Sequence, residues 1–155
     1  MQLSAESASI VGATAGVVAE HAEEITRVFY PSMFAAHPAL LNVFNTANQA
    51  VGEQPKALAA SVMRRIAHKH VSLGIKPREY TIVGKYLLDA VGTGLGAAVT
   101  AEVRAAWDEV YWLFATELIA QEAALYALGG TAPDQPWRKY RVVERLEESA
   151  DVVSL

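Results

Sequence analysis

From residue 4 to residue 130 apolar side chains recur at helical spacing almost without interruption, which leaves a bundle of helices as the natural way to bury them. Ser4 can cap a first helix with Ile10, Val17 and Val18 among its apolar positions. Ile25, Phe29 and Met33 mark a second at intervals of four. His37-Pro38 interrupts the pattern, because a residue preceding proline is pushed out of the α region, and Pro38 suits the first turn of a short helix carrying Leu40, Leu41 and Phe44. Residues 45–52 are polar and loop-like, and another helix is expected to begin near Glu53. Lys76-Pro77 sets the next boundary, followed by a face of Tyr80, Val83, Leu87 and Val91 that Gly92, Gly94 and Gly96 are expected to end. Thr100 can cap the longest helix, whose expected stripe is Val103, Trp107, Val110, Tyr111, Phe114, Leu118 and Leu125, stopped by Gly129-Gly130.

Composition narrows the function. The chain has 155 residues, enough for one domain with a proper core. Thirteen basic and seventeen acidic residues give a formal charge of −4, which disfavours a general nucleic-acid binder. No apolar run is long enough to span a membrane and no secretory leader is evident, so a cytoplasmic protein is expected. There is no cysteine, which removes disulfides, iron–sulfur clusters and thiol nucleophiles and leaves four histidines as the main transition-metal donors.

One histidine stands out. On a helix over residues 63–71, Met63, Ile66, Ala67 and His70 fall on one face, while Arg64, Arg65, His68 and Lys69 lie off it. His70 therefore points inward and His68 points to solvent. A lone histidine on an apolar face is more often core packing than a ligand. Phe29-Tyr30, Phe44, Gln54 and Leu58 upstream weaken that reading by their order along the chain, although each can be ordinary packing in isolation.

These residues carry a family resemblance. Val28-Phe29-Tyr30-Pro31-Ser32-Met33-Phe34, His37-Pro38, Leu41-Asn42-Val43-Phe44-Asn45 and Gly52-Glu53-Gln54-Pro55-Lys56-Ala57-Leu58 resemble the globin domain of bacterial flavohaemoglobins. The densest match is Ile66-Ala67-His68-Lys69-His70-Val71-Ser72-Leu73-Gly74-Ile75-Lys76-Pro77-Arg78-Glu79-Tyr80. The resemblance covers residues 1–130 and implies a globin fold around haem b (iron protoporphyrin IX). It implies His70 as the proximal iron ligand, with Tyr80 and Glu122 behind it strengthening the imidazole as a donor. It implies Tyr30 and Gln54 as the distal pair facing the gas, Phe44 packed on the haem, and Leu58 as the apolar wall above the iron. From its place on the apolar stripe alone, Glu122 sits about 60° from centre and would be a solvated rim carboxylate. The implied activity is oxidation of NO to nitrate by O2, with electrons from NAD(P)H through FAD. The alternative is a globin that stores, scavenges or senses O2 without turnover. A helical scaffold without cofactor is the more distant rival.

Beyond Gly130 the character changes. Residues 131–136 read as a proline-bounded linker, and Tyr140, Val142, Val143, Val152 and Val153 suit one or two strands. Residues 131–155 are thus expected to lead into a flavin-binding reductase domain, on which FAD and NAD(P)H would bind and which this sequence does not contain. Gly94-Leu95-Gly96 follows a helix and opens no βαβ unit, so it is not a dinucleotide turn. One interval departs from the family. Only sixteen steps separate Gln54 from His70, where the family has roughly four more helical turns. One helix would place the two about 24 Å apart along its axis, so a reversal near residues 59–63 is expected if they face one haem. A segment missing from the sequence explains the interval better than a natural or engineered deletion, because both flanks match up to the junction.

Overall fold

In the computed structural model residues 2–42 and 57–154 are described, the side chains of 57–61 excepted. Among them are five α-helices: α1 Ala5–Glu20, α2 Ala22–Ala36, α3 Ala57–Leu73, α4 Pro77–Leu95 and α5 Ala101–Gly129. A 3-10 turn spans Pro38–Asn42, and strands β1 Leu146–Ser149 and β2 Val152–Ser154 pair antiparallel at the end. This is the all-α architecture expected from the periodicity, with a short C-terminal β segment.

The helix starts lie where the caps are. Ser4 Oγ accepts from the Ser7 amide at 3.2 Å, and Thr100 Oγ1 accepts from Val103 at 3.3 Å. Proline begins α4, and the Glu79 carboxylate reaches back to the Lys76 amide at 3.0 Å. α5 stops at Gly130, whose φ of 59° suits glycine.

Two packed pairs make the body. α2 lies on α4, burying Ile25, Phe29, Met33, Ala90 and Val91, with Leu40 from the 3-10 turn closing this cluster. α3 lies on α5 around Ala67, Ile75, Tyr80, Ala115 and Leu118. Ala67 and Ala115 are both completely buried, so two small residues allow this second pair to approach closely. α4 joins the clusters by giving Val91 to one and Tyr80 to the other. α1 is fastened across α5: the Ser4 amide and hydroxyl donate to the Glu109 carboxylate, and Trp107 Nε1 donates to Thr14 at 3.0 Å.

Several expectations require correction. α4 passes through Gly92 and Gly94 and ends only at Gly96. Gly94 is a point of close approach: a Cβ there would come within 3.3 Å of Ile25 Cγ1. The buried line of α5 is Ala106, Ala115, Leu118, Glu122 and Tyr126, whereas Phe114 is exposed. In α1, Val17 is exposed and Ser7 is the buried residue. Tyr140, Val142 and Val143 are not in strands; pairing begins at Leu146, where a turn can join two strands. Finally, α3 is continuous through residues 59–63, so the expected reversal is not made.

The crossing of α4 and α5 rests on a glycine. The Tyr111 ring occupies the space where a Cβ on Gly84 would stand, and the Tyr111 hydroxyl donates to the Tyr80 carbonyl at 2.5 Å. Gly84→Ala is expected to force the helices apart at a cost of about 1–3 kcal/mol, outweighing alanine's better helix propensity. Thermal melting should show a fall of about 2–4 °C per kcal/mol. An unchanged or raised Tm would mean that Tyr111 moves aside freely.

Candidate functional site

Three side chains from three helices meet between α3, α4 and α5. His70 comes from the last turn of α3, Tyr80 from the first turn of α4, and Glu122 from the buried line of α5. His70 Nδ1 lies 2.7 Å from Glu122 Oε1 and 2.9 Å from the Tyr80 hydroxyl. The Tyr80 hydroxyl donates to the same carboxylate oxygen at 2.5 Å.

The hydrogen bonds favour one tautomer. The Tyr80 hydroxyl donates to Glu122 Oε1, and Nδ1 lies against that same oxygen, so the contacts are satisfied when Nδ1 carries the imidazole proton. Nε2 is then the nitrogen with the free lone pair, and it has no hydrogen bond among the described residues. Glu122 is 3% exposed, with no lysine or arginine hydrogen-bonded to it, and no buried side-chain nitrogen or oxygen among the described residues lacks a partner. Burial, then the hydrogen bond and charge of Glu122, push the Tyr80 hydroxyl far above its ordinary range, so it remains a donor.

Helix phase explains this meeting. Met63, Ile66 and His70 are half-buried and Ala67 fully so, while Arg64, Arg65, His68 and Lys69 are exposed, as the periodicity predicts. Glu122 stands four residues after Leu118, which is 1% exposed, and four before buried Tyr126. It is therefore central to the buried face and not a rim carboxylate. Counting large apolar residues placed the stripe too near Phe114; the small buried Ala106 and Ala115 are the signal that would have corrected it.

Other predicted positions lie elsewhere. Tyr30 is half-buried on α2, with Phe29 and Phe34 rings 4.7 and 5.7 Å away, in the α2/α4 cluster. Burial raises its hydroxyl pKa, so it too remains protonated. Pro31 follows it inside the helix and removes one backbone donor, a feature the sequence reading did not use. Phe44 and Gln54 lie outside the described residues. Leu58 is on the continuous α3, twelve residues before His70 and so about 18 Å away along the axis.

No cluster of three or more histidines, aspartates or glutamates capable of holding a metal ion occurs among the described residues. A single oriented imidazole holds a metal well when the metal brings its other ligands with it, as in a macrocycle. The donor set thus fits a group that needs one protein nitrogen and apolar surroundings. No described helix is long and apolar enough to cross a membrane.

The Globin family model matches residues 49–118. The flavohemoprotein of Deinococcus radiodurans is 42% identical over 170 positions, covering 98% of this chain and 42% of the relative. A flavohemoglobin from Malassezia yamatoensis, solved with bound FAD and heme, is 41% identical with a TM-score of 0.69, over 81% of this chain and 38% of that one. A bacterial globin from Campylobacter jejuni is 31% identical with a TM-score of 0.67, over 80% of this chain and 99% of its own. The chain thus spans about two fifths of the length of the curated relatives it matches. The Deinococcus alignment has 170 positions and 98% of this chain is about 152 residues, so the relative has about 18 positions without a counterpart here. The chain belongs to the globin family, and over nearly its whole length it is similar to the first two fifths or so of flavohaemoproteins.

Proposed function

We propose that the chain binds haem b through His70 Nε2 and forms the gas-reacting part of an NO dioxygenase. The observation that carries this reading is the buried Glu122–Tyr80 pair on His70 Nδ1, which fixes the ring and leaves one nitrogen free. Bound haem would supply an iron that takes O2 and exchanges single electrons. Glu122 draws the Nδ1 proton toward itself, raising electron density on Nε2 and strengthening it as a donor. Tyr80 holds the carboxylate in place and remains protonated. Tyr30, kept neutral by burial, supplies a hydroxyl donor to the distal side, with Gln54 as its companion and Phe44 against the haem face. Residues 1–130 form the haem domain and residues 131–155 lead toward an electron-delivering flavin domain.

The functional test is NO consumption by the hemin-loaded chain under O2, with and without NADH and a flavin reductase. Catalytic loss of NO, with nitrate as product, is expected only when the reductase and NADH are present. Loss limited to one NO per haem, with a competent reductase supplied, would instead identify an O2-binding or sensing globin.

A further inference from the structure

The segment after α5 turns back over the end of the helix that carries His70. Thr131 donates its amide to the Tyr126 carbonyl at 3.0 Å, and Ala132 and Gln135 close a tight turn, with Gln135 N–H on the Ala132 carbonyl at 2.9 Å. This turn sits on Gly74. A Cβ at Gly74 would come within 3.0 Å of Pro136 Cγ and 3.1 Å of the Pro133 carbonyl. Gly74, with φ 70°, is also the residue that ends α3: its amide bonds the Val71 carbonyl at 3.2 Å, and the Ile75 amide bonds the carbonyl of His70 itself at 3.0 Å. On the other side, the Tyr126 hydroxyl points to the Val71 carbonyl at 3.4 Å. The far end of the segment is held too, since the Arg138 guanidinium covers Gly130 where a side chain would otherwise stand. Two of the three glycines with positive φ among the described residues are thus covered by residues 133–138.

We propose that Pro136, seated on Gly74, is a positioning residue for the His70 imidazole. Gly74 has no side chain to yield, and the ring of Pro136 has few conformations to exchange, so the contact transmits position with little slack. The turn it presses on holds the His70 carbonyl, and the angle between His70 Nδ1–H and Glu122 depends on where that turn lies. Hydrogen bonds lose strength steeply with misalignment, so a small displacement of the turn weakens the Nδ1–H bond and the Nε2 donor behind it. The proposal rests on the haem reading only for what Nε2 holds.

The test uses the full chain with Pro136→Gly, and Trp137→Ala as control because Trp137 is 78% exposed. Two rates are read: solvent exchange of the His70 Nδ1 proton by NMR without hemin, and hemin release to an excess of an acceptor protein. Pro136→Gly is expected to accelerate Nδ1–H exchange and to raise hemin release about tenfold, the lower end of what loss of an outer-shell partner costs a metal site. Trp137→Ala should match the parent in both. Rates in Pro136→Gly equal to the parent's would overturn the proposal. Should Pro136→Gly fail to fold, judged by circular dichroism, Pro136→Ala is read against the same criteria. If the parent chain takes up no hemin, the haem reading fails by itself, and the exchange rate alone decides the role of Pro136.

Discussion

His70→Ala is expected to abolish the Soret band of the hemin-loaded protein and its shift on reduction with CO, while the helical circular dichroism remains. Loss of the donor nitrogen should exceed the about 10–100-fold that outer-shell partners cost a metal site, because no other described histidine faces the same apolar surroundings. His68 is exposed, and His37 stacks edge-on against Tyr86 in the other cluster. The substitution leaves Glu122 and Tyr80 in place. Added imidazole therefore enters a space that already contains a carboxylate and a hydroxyl to orient it, and the band should return. Persistence of the parent spectrum in His70→Ala would remove His70 as ligand. A colourless parent chain that cannot be loaded with hemin would remove the haem reading altogether.

Tyr30→Phe should act on the gas and not on the cofactor. Its hydroxyl is kept protonated by burial, and the reading places it where the bound gas gains negative charge. A hydrogen bond to a charged acceptor contributes about 1.5–3 kcal/mol, so O2 should leave the reduced, hemin-loaded variant about 10- to 150-fold faster. Hemin content should be unchanged, since the ring still packs against Phe29 and Phe34. Stopped-flow displacement of O2 by CO measures this directly. An O2 dissociation rate equal to the parent's would show that Tyr30 is an ordinary core residue of the α2/α4 cluster.

Much of the site was legible because it depends on helix phase. Met63, Ile66, Ala67 and His70 share a face at any reasonable choice of helix ends, and so His70 turns inward. Glu122 was harder to place from pattern alone, since carboxylates are rarely buried and its stripe was drawn through Phe114. The stripe is set by close packing at Ala106 and Ala115, where the absence of bulk is what matters, and hydrophobicity counts undervalue alanine. Gly94 misled in the same way: it looks like a helix breaker, yet the contact with Ile25 needs its lack of a side chain within a continuing helix. The reversal expected near residues 59–63 came from the demand that Gln54 and His70 face one haem. Local sequence there contains no glycine or proline, and local sequence prevailed. The 18 or so positions present in the Deinococcus relative but not here amount to about five helical turns, a length whose loss, if it falls within this helix, leaves the apolar face in phase.

The unbroken α3 also has a mechanical meaning. It is a rod of seventeen residues, about 25 Å long, gripped where Ala67 meets α5. Measured from Ala67, His70 lies about 4.5 Å along one side of the rod and Ala57 about 15 Å along the other. Any tilt that moves the imidazole is magnified about threefold at the opposite end. A small displacement of the imidazole, taken along this one rod, returns as a larger swing of the backbone at Ala57.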